Sequence, residues 1–185
     1  NAVWESNFEP IDVAERCRIR APFHPKNPAC LYDIVIMPKM AFGTGHHATT
    51  YLMADEIMRQ NLSGLSGLDM GSGTAVLSIL AILCGAVHVD AIDIDEWAYR
   101  NGAENVQGNR MEDAISVELG DASLLAGRHY DFVLANINRN ILLADMEAYA
   151  ATLSSGGILL VSGILEADVP TIVECAEKFG LERDE

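Results

Sequence analysis

Basic residues are scarce in this 185-residue chain: 12 Lys and Arg stand against 27 Asp and Glu, for a net charge of −15. Nucleic-acid affinity rests largely on Lys and Arg at phosphates, so the scarcity argues against direct nucleic-acid binding. It suits a basic partner better, although acidity also serves solubility alone. No apolar run is long enough for a bilayer span. The longest, around Val76 to Val89, is broken by Ser78, Gly85 and His88, and no membrane association is expected. Cys17, Cys30, Cys84 and Cys175 are scattered, with no CxxC pair and no His at ligand spacing. They read as reduced thiols of a cytoplasmic protein rather than as a zinc centre or a disulfide frame. No GxxxxGK(S/T) loop exists to cradle a triphosphate, which argues against ATP hydrolysis. An initiator Met and a signal peptide are lacking too, and the opening at Asn1 reads as part of a longer protein.

What is present is alternation. Residues 1–30, punctuated by Pro10, Pro22, Pro25 and Pro28, read as a linker and lead-in segment in which only "CRIR" suggests a strand. Residues 31–185 read as one domain. "YDIVIMP" is a strand, and "TTYLMADEIMRQN" spaces Leu52, Met53, Ile57 and Met58 along one helical face. The order then runs "SGLDMGSG" strand, "TAVLSILAILCGA" helix, "VHVDAIDID" strand and "EWAYRNGAENVQGN" helix. "ISVELGD" and "YDFVLANI" follow as strands, "NILLADMEAYAATLSSGG" as a helix, "ILLVSGI" as a fifth strand and "ADVPTIVECAEKFG" as a last helix. Strand and helix in turn, with buried-looking strands, predict an α/β, doubly wound, mostly parallel Rossmann-like sheet. Such a sheet usually continues past "LERDE", so its final strands are expected to be missing.

Ligands of an open parallel sheet bind at the carboxyl ends of its strands. Chemistry-bearing residues gather there: Asp69, Gly71 and Gly73 after the first strand, Asp93 and Asp95 after the second, Gly120 and Asp121 after the third, Asn136 and Asn138 after the fourth. "DMGSGTAV" permits a sharp turn and close ligand approach, because glycine has no Cβ. Asp93, about twenty residues on, stands where a carboxylate accepts hydrogen bonds from ribose hydroxyls. The pocket therefore suits adenosine, carried by a dinucleotide or by S-adenosylmethionine. A dinucleotide fingerprint wants a third glycine where this chain has Val76.

"DMGSGTAVL", "AIDID", "LGD" and "ANINRN", in this order and at these separations, resemble the motifs of class I S-adenosylmethionine-dependent methyltransferases. "AFGTGHHATT" upstream is more specific. It looks like the signature of the bacterial ribosomal-protein methyltransferase family PrmA, which modifies the large-subunit stalk-base protein, and "WESNFEPIDVAERCRIRAP" resembles that family's linker and domain start. The resemblance implies S-adenosyl-L-methionine as cofactor, a basic ribosomal protein as substrate and a separate N-terminal recognition domain, absent here. It implies that Thr50 binds the methionine end of the cofactor over the turn at Gly71, that Asp93 takes the ribose, and that Asn136 lines the reactive end. Asp69, Gly73, Asp121 and the loop residues Phe42, Gly43 and Thr44 complete the expected cofactor-binding set. Family members often carry a tyrosine two positions after the asparagine; here Asn138 stands there.

Physically, "MAFGTGHHATT" reads as a cofactor lid. Thr49 and Thr50 fall in the first turn of the next helix, where free N–H groups and the positive dipole end receive a carboxylate. The adjacent His46 and His47 cannot both face one metal, and no metal is expected. Three rivals remain: a NAD-dependent oxidoreductase, a non-catalytic cofactor-binding module, and a methyltransferase with another protein, small molecule or base as acceptor.

Overall fold

A computed structural model describes residues 8–39 and 47–184. Five strands form the main sheet: β4 (Ser66–Met70), β5 (His88–Asp93), β6 (Ile115–Leu119), β7 (Tyr130–Asn136) and β8 (Leu153–Ser162). Their order is β6-β5-β4-β7-β8 and every pairing is parallel. The order reverses beside β4, and the crevice at the carboxyl ends of β4 and β7 is the switch point where such sheets hold ligands.

Strand β7 shows why the sheet is covered on both faces. Phe132 and Leu134 join an apolar cluster with Ile34, Ile57, Ile79 and Leu80, whereas Val133 and Ala135 join Leu68, Met70, Leu142 and Met146 on the opposite side. Successive side chains of a strand point to opposite faces, so a strand buried on both reads as one continuous apolar run. Helices α1 (His47–Arg59) and α2 (Val76–Leu83) supply the first layer, and α4 (Arg139–Thr152) and α5 (Val169–Lys178) the second. Helix α3 (Glu96–Gly108) follows β5 and packs along β6. No helix of the described residues is long and apolar enough to cross a membrane.

Two departures from the sequence reading stand out. The lead-in carries a second strand: β1 (Ile11–Val13) pairs antiparallel with β2 (Cys17–Arg20), and β2 pairs parallel with β3 (Tyr32–Val35) in a separate three-stranded sheet. A boundary at residue 30 falls inside this sheet. The turn between β1 and β2 places both Ala14 (φ 49°) and Glu15 (φ 55°) in the left-handed region, closed by Arg16 N–H donating to Val13 O at 2.9 Å. That is the primed turn a hairpin favours, built without the Gly or Asn that announces one. The second departure is at α4, which stops at Thr152; "LSSGG" belongs to β8, which starts five residues before "ILLVSGI". The pairing with β7 is irregular there, with a register shift between Tyr130 and Phe132.

Candidate cofactor cleft

A cleft of about 520 Å³ opens at the carboxyl ends of the main sheet. Its floor is the turn after β4, where three residues in five are left-handed: Gly71 (φ 72°), Gly73 (φ 54°) and Ala75 (φ 62°). A Cβ on Gly71 would lie 2.3 Å from Ile137 Cγ2, so this position tolerates no side chain. The N–H groups of Gly71 and Ser72 both donate to Ile92 O, at 2.8 and 3.1 Å, which pins the turn to β5. Helix α2 starts behind it with Ala75 as N-cap, a residue with no side-chain oxygen to offer the helix end.

Asp93 ends β5 and reaches across to this turn. Its Oδ2 accepts from Gly73 N–H at 2.8 Å and its Oδ1 from Asp95 N–H at 2.9 Å. Both carboxylate oxygens are thus oriented, and each keeps lone pairs for a further donor. Asp95 caps α3 by accepting from Ala98 N–H at 2.9 Å. Asp121 accepts from Ser123 N–H at 2.9 Å, and this hydrogen bonding holds its carboxyl below the usual range. Asn136 ends β7, and its Oδ1 accepts from Ser162 Oγ at 2.9 Å. Asn138 caps α4 through Ile141 N–H at 3.0 Å, so its side chain is committed to the helix start.

Of the residues singled out by sequence, Thr50, Gly71, Gly73, Asp93, Asp121 and Asn136 all line this one cleft. Asp69 does not. It is 1% exposed beneath the cleft, facing α2, and accepts from Ser78 Oγ at 2.6 Å. Burial pushes its carboxyl up to about 6, against the pull of the Ser78 bond, and Oδ1 has no hydrogen-bond partner among the described residues. Phe42, Gly43 and Thr44, with His46, lie outside the described residues.

Several lining residues escaped the sequence reading. Ile11, Ile19 and Ile36 bring the small sheet and its exit against the cleft as an apolar wall, while Ile94, Ile141, Asp145 and Tyr149 line other sides. Ser162, behind Asn136, was within reach: the strand-tip rule applied to the first four strands extends to the fifth. Asp93, Asp95, Asp121 and Asp145 give the cleft four carboxylates, and none of its described lining residues is Lys or Arg.

The fold with this strand-tip cleft defines a class I methyltransferase architecture. A solved structure described as a putative SAM-dependent methyltransferase from Streptococcus mutans shares it at a TM-score of 0.61 and 14% identity, over 73% of this chain and 40% of that one, a likeness of fold alone. A closer likeness is the ribosomal protein L11 methylase from Lactobacillus delbrueckii subsp. bulgaricus, with TM-score 0.79 and 26% identity over 93% of this chain and 88% of that one. The family model described as Ribosomal protein L11 methyltransferase (PrmA) matches residues 1–185, and the chain belongs to that family. A relative of that name in Porphyromonas gingivalis is 52% identical over 98% of this chain, and one in Bacteroides fragilis is 51% identical over 98%. The chain spans 63% and 65% of the lengths of these two relatives.

Proposed function

We propose that the protein is an S-adenosylmethionine-dependent N-methyltransferase that modifies amino groups, lysine or N-terminal, of a basic ribosomal protein in the cytoplasm. The observation that carries this reading is the charge of the cleft. Four carboxylates and no described basic side chain make a site for a cationic ligand and a cationic acceptor, and a poor one for the pyrophosphate of a dinucleotide. Val76, first residue of α2, also stands where a dinucleotide turn has its third glycine.

The residues present fit such a cofactor. Asp93, oriented by two N–H groups, is placed to take ribose hydroxyls; the side-chain-free turn at Gly71 and Gly73 admits a ligand at close range; Thr50 in the first turn of α1 would face the methionine end. Asp121 completes the set at the tip of β6. When bound, the cofactor supplies an electrophilic methyl group on a positively charged sulfur.

The chain's own contribution is then positioning. Asn136 offers the incoming amine a carbonyl oxygen that accepts its N–H in either protonation state. The surrounding carboxylates draw an ammonium toward the cleft, and the amine must lose its proton before it attacks. A lysine amine, with a reference pKa near 10.4, is then limited by its neutral fraction across ordinary pH, whereas an α-amine near 7.7–8.0 is already partly neutral. The rate should therefore climb about tenfold per pH unit up to pH 9 for lysine, and level near pH 8 for an N-terminus.

The deciding experiment incubates the full-length protein with labelled S-adenosylmethionine and the large-subunit stalk-base ribosomal protein. Transfer of label to amines of that protein is expected. Cofactor uptake without transfer would assign another acceptor, and uptake of NAD in place of the sulfonium compound would overturn the reading.

A further inference from the structure

We propose that Asn105 is a positioning residue for the cleft: its buried carboxamide ties Met37 to Thr74 and thereby sets the apparent affinity for S-adenosyl compounds. The proposal rests on the functional reading above.

Helix α3 and its C-cap present Asn101, Asn105 and Asn109 four residues apart, on one face. Asn105 is 1% exposed. Its Oδ1 accepts from Met37 N–H at 2.9 Å, and its Nδ2 donates to Thr74 O at 3.0 Å. Ile36 and Thr74 line the cleft, whereas Asn105 does not; it acts from behind. Beyond the bonds to Ile92 O, the glycine turn is thus held from two directions, with Gly73 N–H donating to Asp93 and the carbonyl of the following residue, Thr74, accepting from Asn105. Gly102 allows the approach, because a Cβ there would sit 3.0 Å from Gly73 O.

Asn109 makes a similar pair of bonds to Val35 without touching the turn. Its Oδ1 accepts from Val35 N–H at 3.1 Å and its Nδ2 donates to Val35 O at 2.8 Å. The same Nδ2 also donates to the backbone carbonyl of Asn105 at 2.7 Å, which leaves the bonds of the Asn105 carboxamide to Met37 and Thr74 untouched. Asn109 supplies the comparison that separates positioning from mere support.

A turn with three left-handed residues has other conformations open to it once Thr74 O is released. Apparent affinity falls by the fraction of molecules that keep the binding-competent turn. Asn105→Asp keeps an acceptor for Met37 but sets an acceptor against Thr74 O, and Asn105→Ser is too short for both bonds.

The test measures calorimetric affinity for S-adenosylhomocysteine, together with melting temperature, on the full-length protein and its N105D, N105S and N109A forms. Both Asn105 variants should weaken binding about tenfold. N109A should lower the melting temperature while holding affinity within about twofold of the parent. In turnover, KM for the cofactor should rise with kcat retained at saturation. Parental affinity in a folded Asn105 variant would overturn the proposal, as would an equal loss in N109A. A parent protein that takes up no S-adenosylhomocysteine overturns the functional reading instead.

Discussion

Ser162 at the tip of β8 donates its hydroxyl to Asn136 Oδ1 at 2.9 Å, and the two residues are register partners on neighbouring parallel strands. Gly163 follows with φ 76°, and a Cβ there would lie 3.2 Å from the same oxygen. The Asn136 carboxamide is thereby fixed in rotation. One lone pair goes to Ser162, leaving the other, and the amide hydrogens, for the cleft. Ser162→Ala should lower kcat about three- to tenfold with little change in cofactor KM, in keeping with the loss of one neutral hydrogen bond. Asn136→Ala should lower it further. Steady-state methyl transfer to the stalk-base protein is the measurement, and a parental kcat in Ser162→Ala would remove the orienting role.

Asp93 makes a different contribution, since both its oxygens are spoken for by backbone donors, Gly73 N–H at 2.8 Å and Asp95 N–H at 2.9 Å. Asn at this position keeps one acceptor and turns the other into a donor facing a donor. Hydrogen bonds to charged groups are worth about 1.5–3 kcal/mol. Asp93→Asn should therefore weaken S-adenosylhomocysteine binding on the order of 10- to 100-fold, read by calorimetry. Affinity unchanged from the parent would show that neither the turn nor the proposed ribose contact depends on this carboxylate.

The parallel architecture was legible because strands buried on both faces are written as apolar, β-branched runs ending in Gly, Asp or Asn. The β1–β2 hairpin was not, because Ala14 and Glu15 occupy left-handed positions that sequence rules reserve for Gly and Asn. The end of α4 was hidden as well: Thr152 and Leu153 carry no stop signal, and Thr152 instead donates its hydroxyl back to Tyr149 O at 2.7 Å. Within the cleft, strand-tip residues were readable from their place in the chain. The wall made by Ile11, Ile19 and Ile36 was not, since it depends on how a second sheet packs against the first. Asp69 shows the limit of the strand-tip rule. It belongs to the right strand, but the two-residue alternation points it at α2 rather than into the cleft.

Gly67 in β4 has no Cβ because Phe132 of β7 occupies the space. A Cβ there would sit 2.0 Å from the ring, and Phe132 is fully buried. The ring cannot move into solvent, so the added methyl group must displace β4 or β7. Overpacking of this kind costs about 1–3 kcal/mol, occasionally more. Gly67→Ala should accordingly lower the urea midpoint with an unchanged slope. A variant as stable as the parent would mean the ring has room that the packing does not display.

Asp69 should make stability pH-dependent in a direction opposite to that of a salt-bridged carboxylate. Its folded-state value lies at about 6 against an ordinary 3.8, because burial disfavours the charged form and, among the described residues, Ser78 alone donates to it. The folded state therefore holds this proton more tightly than the unfolded chain. Its contribution is fully present below about pH 4 and is lost as pH rises through about 6. Between those limits the shift corresponds to about 3 kcal/mol. Asp69→Asn has no proton to lose, and its buried amide adds a cost that does not vary with pH. Stability of the parent minus that of the variant should thus fall by roughly this amount from pH 4 to pH 7, with all other titrations cancelling. Urea unfolding at several pH values measures it. Parallel pH profiles for the two proteins would mean that Asp69 is as easily ionised in the folded chain as in the unfolded one.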